Sequence, residues 1–71
     1  MEKLTVEKAK AEYKLIAEAK GDAEVAHINE AELRYWFISC VAEGLYSKKE
    51  AIAVAKIVES TKDIEFPRWF A

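Results

Sequence analysis

Tyr35-Trp36-Phe37-Ile38-Ser39-Cys40-Val41 is the stretch on which the fold turns. Taken alone it has the composition of a buried strand, because aromatic and β-branched residues dominate it. Its flanks reverse that reading. Glu30-Ala31-Glu32-Leu33-Arg34 before it and Ala42-Glu43 after it are good helix formers, and the run from Asn29 to Gly44 is longer than a usual strand. A single strand would also have no neighbour to pair with. The stretch therefore reads as helix, apolar on most faces, and as the central element of the chain.

Working outward, Asn29 followed by Glu32 reads as a capping-box variant and Gly44 as a stop, which places this helix at residues 30–43. Beyond Gly44, Ser47-Lys48-Lys49-Glu50 is a true S-x-x-E box. Ala51, Ile52, Val54, Ala55, Ile57 and Val58 then supply a helical stripe, for a helix at 48–59. Only Leu45 and Tyr46 separate glycine from box, so these two helices form a tight pair.

Upstream, Thr5 caps a helix at 5–20 in which Val6, Ala9, Tyr13, Ile16 and Lys20 keep helical spacing and Gly21 supplies a left-handed exit. Lys8 with Glu12 and Lys14 with Glu18 sit four apart on its polar face. Asp22 to Ile28 forms either a short extra turn or an extension of the first helix. The expected fold is an all-α bundle of three main helices in one domain, residues 1–71, with an aromatic C-terminal tail. Its expected core is Val6, Tyr13, Ile16, Leu33, Trp36, Phe37, Cys40, Val41, Ile52, Ala55 and Val58.

Composition bounds the function classes. A chain of 71 residues builds at most one core, of marginal stability unless a disulfide, a metal or a partner contributes. Cys40 is the single cysteine, so no internal disulfide forms. Thirteen acidic against eleven basic residues, interspersed, describe an ordinary solvated surface and disfavour nucleic acid. The N-terminus lacks a secretory pattern, and no apolar run approaches the roughly 20 residues that span a bilayer. The expectation is a cytosolic protein with no membrane segment.

Few residues suggest chemistry. Glu24-x-x-His27-x-x-Glu30 resembles half of a carboxylate-bridged metal site, whose Glu-x-x-His motifs come in pairs from different helices. With one histidine, and with Asn29 read as a cap between the ligands, no metal site is expected and His27 reads as a surface residue. Cys40 has no base beside it in the sequence and reads as a small buried hydrophobe rather than a nucleophile. Glu30 and Glu32 point in different directions on a helix and do not make an acid–base pair. No phosphate loop, serine elbow or zinc-binding cysteine pair is present. The chain is expected to be no enzyme and to carry no cofactor.

The third helix, the turn at Glu59-Ser60-Thr61 and the tail compare loosely with a helix-turn-helix. A recognition helix from Lys62 would present Asp63 and Glu65 to phosphates and break at Pro67. The tail itself carries the clearest functional signal. Phe66, Arg68, Trp69 and Phe70 are residue types enriched at interface hot spots, although they could equally fold back to close the core. The expected role is a small non-enzymatic protein–protein interaction module, such as an adaptor, inhibitor or regulatory subunit. Those four residues would be the partner-binding site, the partner another protein and the state a homodimer. A helix-turn-helix-like DNA-binding regulator is the alternative.

Overall fold

The computed structural model describes residues 1–68 and is all-helical among them. Helix α1 spans Val6–Glu18, α2 Ala23–Ala42 and α3 Lys48–Ser60, and a single 3₁₀ turn at Thr61–Asp63 leads into a non-helical strap, described as far as Arg68. The stretch 35–41 is helical, as its flanks require. Each helix opens on a side-chain cap. Thr5 accepts from the Lys8 N–H at 3.2 Å, Asp22 from Val25 at 3.3 Å and Ser47 from Glu50 at 3.2 Å.

The second cap corrects the expected start of α2. Asp22 takes that role, Asn29 lies two turns inside the helix, and residues 23–28 belong to α2 rather than to α1 or to a separate turn. Asp22 followed by Ala23-Glu24-Val25-Ala26 gives a cap and good helix formers. The later Asn29 signal therefore competes with a nucleus that already exists. Gly21 does not serve as a left-handed exit either. Of the described residues only Gly44 has positive φ, at 70°, and α1 instead ends at Glu18 in a turn closed by the Asp22 N–H on the Ala19 carbonyl at 2.8 Å.

Gly44 behaves as expected for the end of α2. The Leu45 N–H donates to the Cys40 carbonyl at 3.1 Å and the Gly44 N–H to Val41 at 3.0 Å, which is the Schellman arrangement that a left-handed glycine permits. The chain then turns directly into Ser47 and α3.

The core holds Leu4, Ala9, Ile16, Ala26, Leu33, Cys40, Val54, Val58, Ile64 and Phe66, with Val6, Tyr13, Trp36, Phe37, Tyr46 and Ile57 packed at its margin. Val41 and Ile52, expected inside, are exposed. The inward residues of α2 are Ala26, Glu30, Leu33, Phe37 and Cys40, a 4-3-4-3 spacing that keeps one seam against α1 and α3 along the helix. Val41 falls one step beyond that seam.

The N-terminal segment closes one end of the core. Trp36 donates its indole N–H to the Glu2 carbonyl at 2.8 Å, the Leu4 N–H donates to Cys40 Sγ at 3.4 Å, and the Tyr46 hydroxyl donates to the Leu4 carbonyl at 2.6 Å. Burial pushes the Tyr46 phenol pKa up, and a hydrogen bond and charge from Cys40 add to the shift. Phe37 stacks on Tyr46 with ring centroids 5.8 Å apart. Leu4 is thereby fixed in the core through its own backbone.

Two tests follow from this arrangement. Asp22→Ala should lower stability by about 0.5–2 kcal/mol, whereas Asn29→Ala, in a helix interior, should change it by less than about 0.7 kcal/mol or raise it. Urea unfolding of both variants checks the boundary, and the opposite ranking would restore a start at Asn29. Cys40 is fully buried under Leu4, so a thiol reagent should label it slowly in the native protein and quickly after unfolding. Leu4→Ala should accelerate native labelling well before it abolishes the fold.

Candidate functional site

Two features of α2 stand apart from ordinary packing: a buried carboxylate on its inner side and an apolar stripe on its outer side. Glu30 is 1% exposed. Burying a carboxylate is costly unless it is paired and hydrogen-bonded. Its partner is Arg68, which donates from Nε to Oε1 and from Nη2 to Oε2, each at 3.0 Å. This fork is the bidentate geometry that makes an arginine–carboxylate pair strong.

The same guanidinium serves the end of α3. Nη2 also reaches the carbonyls of Thr61 at 3.0 Å and Ile64 at 3.1 Å, and Nη1 donates to the Phe66 carbonyl at 3.3 Å. Its two Nη2 hydrogens are shared among three acceptors. The Thr61 carbonyl already accepts from the Ile64 N–H at 3.0 Å, and Arg68 gives it a second donor while also serving the Ile64 and Phe66 carbonyls that follow. The guanidinium carbon lies 3.8 Å from the centroid of the Phe66 ring, and Arg34 adds a longer contact to Glu30 at 3.6 Å. One side chain thus joins the middle of α2, the end of α3 and the strap between them.

Burial acts to raise the Glu30 pKa. Hydrogen bonds from Arg68 and Thr61, with the charges of Arg34 and Arg68, outweigh it and hold the carboxyl below its ordinary value. In the same pair, the hydrogen bond to Glu30 raises the Arg68 pKa. The group is therefore an ion-pair anchor and not a proton donor at neutral pH.

Glu24, His27 and Glu30 do share one helix, since α2 begins at Ala23. Even so, Glu24 is exposed, His27 half-buried and Glu30 engaged by two arginines. Among the described residues no three His, Cys, Asp or Glu side chains gather where a metal ion could sit. No helix of the described residues is long and apolar enough to cross a membrane. After the turn at Thr61–Asp63 no further helix forms as far as Arg68, so a recognition helix starting at Lys62 is not built.

Of the residues expected to bind a partner, Phe66 is buried in the core of its own chain and Arg68 is the clamp on Glu30. Trp69 and Phe70 lie outside the described residues. The surface that the sequence reading missed is the outer face of α2. Ile28 is 46% exposed, Tyr35 69% and Ile38 58%, with Val25 and Val41 exposed on the two opposite flanks of that face. Ile28, Ala31, Tyr35, Ile38 and Ala42 follow one another at steps of 3, 4, 3 and 4 residues, which lines them up along one side of a helix. The signal was present in the sequence, but a helix apolar on most faces gives no contrast by which to tell its inner seam from its outer one.

Glu30→Gln should cost about 2–3 kcal/mol, below the 3–5 of a fully buried pair because the Arg68 side chain is 31% exposed. For a domain of this size that corresponds to a fall of roughly 10–20 °C in melting midpoint. Because folding lowers the Glu30 pKa, the stabilisation is present above the unfolded-state value, about 4.3, and fades as pH falls through the lower folded value. Melting curves from pH 7 down to pH 3 should therefore converge for the parent and the variant, and a constant gap across that range would show that the pair does not carry the difference. Comparison with protein-family models, with curated proteins and with solved structures finds no match for this chain.

Proposed function

We propose that the chain is a small non-enzymatic protein–protein interaction module, an adaptor, inhibitor or regulatory subunit working in a cytosolic setting, and that its contact surface is the outer face of α2. The observation that carries this reading is the set of large apolar side chains left in water along that helix, with Tyr35 and Ile38 the most exposed of them. Contiguous apolar surface of more than a few hundred Å² is uncommon on a soluble monomer and marks binding surfaces when it occurs. Tyrosine at the centre of such a stripe is a typical hot-spot residue. Phe66 and Arg68 contribute by holding the strap against α2, and Trp69 and Phe70 extend the aromatic character of the chain beyond that anchor.

The test is co-purification from native cells of the parent chain and of a variant carrying Tyr35→Ser and Ile38→Ser. Surface changes of this kind alter stability by only about 0.5 kcal/mol, so the variant should melt near the parent temperature. Proteins that are retained by the parent should be lost by the variant. Retention of the same set by a folded variant would remove the outer face of α2 as the contact surface.

A further inference from the structure

We propose that the outer seam of α2 pairs with the same seam of a second copy of this chain, antiparallel, about a two-fold axis level with Leu33. The inference rests on the interaction-module reading and names its partner. The geometry begins with the repeat. The inner seam, Ala26-Glu30-Leu33-Phe37-Cys40, and the outer seam, Ile28-Ala31-Tyr35-Ile38-Ala42, follow the same 3.5-residue repeat on opposite sides of one helix. That repeat is the seam of helix against helix. Within the chain α1 and α3 occupy the inner seam, and the outer one calls for another helix of similar length.

The outer seam is complementary to itself in one register. Setting two copies antiparallel around the level of Leu33 places Tyr35 of each copy over Ala31 of the other and Ile28 against Ile38. Ala42 then meets the wet end at Glu24. Large faces small at the centre, as close packing between helices requires. A parallel pair would instead set Tyr35 on Tyr35 and leave Ala31 facing Ala31.

Area decides the strength. At the exposures given above, Ile28, Tyr35 and Ile38 present on the order of 300 Å² of apolar surface per copy. Two copies with their flanks then bury roughly 800 Å² in total, the size of a weak, transient contact. The pairing is therefore reversible, with a dissociation constant in the range of about 10–500 µM. Charge sets its salt response. In the antiparallel register Glu32 of one copy lies across from Glu32 of the other, while Arg34 is drawn aside toward Glu30. Screening should tighten the dimer. A parallel pair would set Arg34 of each copy on the flank that carries Glu32 of the other, and salt would loosen it.

Sedimentation equilibrium of the full chain from about 1 µM to 1 mM, at low and at moderate salt, tests the proposal. The expected result is a monomer that converts to dimer with concentration, more readily at the higher salt. Tyr35→Glu should leave a monomer throughout, and Glu32→Gln should lower the dissociation constant several-fold. The second variant keeps the test decisive should the first fail to fold. A monomer mass across the whole range overturns self-pairing, as does a dimer indifferent to Tyr35→Glu. A dimer loosened by salt and by Glu32→Gln overturns the antiparallel register. Should the chain stay monomeric while the Tyr35/Ile38 serine variant still loses a co-purifying protein, self-pairing fails and the module reading stands.

Discussion

A carboxylate at the centre of the longest helix, almost without water, sets the terms for the rest of this fold. Glu30 occupies a position in the seam where its neighbours are Ala26, Leu33, Phe37 and Cys40, and a charge there is tolerated only with an opposite charge and full hydrogen bonding. The answering cation comes from 38 positions away in sequence, at Arg68. To deliver it, the chain must leave α3 through a single 3₁₀ turn and run back along the bundle. In doing so it carries Ile64 and Phe66 into the core. A buried ion pair is weak evidence of net stability, since well-packed apolar residues could serve as well or better. What this one supplies is position: a planar fork satisfied by two carboxylate oxygens and three carbonyls admits one placement of the strap.

The opposite end of the chain answers a similar need by different means. Glu2 to Leu4 forms no helix, yet its carbonyls and one amide are taken up by Trp36, Cys40 and Tyr46. A domain of this size buries only about 60% of the surface of its unfolded chain. Three helices of 13, 20 and 13 residues leave gaps between them, and Leu4, Ile64 and Phe66 fill those gaps. Both terminal segments are tied to α2, which makes the central helix the reference for each. The strap is held by the charged side chain of Arg68, on Glu30 and on the carbonyls of Thr61, Ile64 and Phe66. The N-terminal segment adds to its neutral hydrogen bonds an ion pair from Lys3 to Glu50 of α3 and the Lys3 ammonium 5.6 Å from the centroid of the Tyr46 ring.

Much of this was legible in the sequence where a local rule has one solution. Thr5, Ser47 and Gly44 act as read, and the flanks of residues 35–41 correctly outweighed their strand-like composition. The start of α2 was hard to read because Asp22 and Asn29 both satisfy the cap rule; the helix formers after Asp22 favour the earlier start, and the burial of Ala26 adds to it. Starting the helix late concealed the inner seam, and with it the anomaly of Glu30 in an apolar register. Had that register been drawn, a buried acid would have demanded a cation, and Arg34 one turn away and Arg68 among the tail aromatics were the two set in apolar sequence. The facing of Val41 was illegible for another reason. When both sides of a helix are apolar, periodicity fixes two seams but does not say which one the rest of the chain will cover.

That two-sided character explains how one helix can serve folding and contact without conflict. Among the described residues the hydrogen bonds and ring stacking that tie α2 to the rest of the chain lie on the inner seam or beside it, at Glu30, Trp36, Phe37 and Cys40. Ile28, Tyr35 and Ile38 point the other way and keep 46%, 69% and 58% of their surface exposed. Their substitution removes no cavity-lining atoms and no hydrogen bond, so the costs that usually couple surface change to unfolding do not arise. Sites that share no partners act additively on stability. The outer seam is consequently free to change its affinity, or its partner, while the Glu30–Arg68 clamp and the N-terminal hydrogen bonds hold the inner seam in register.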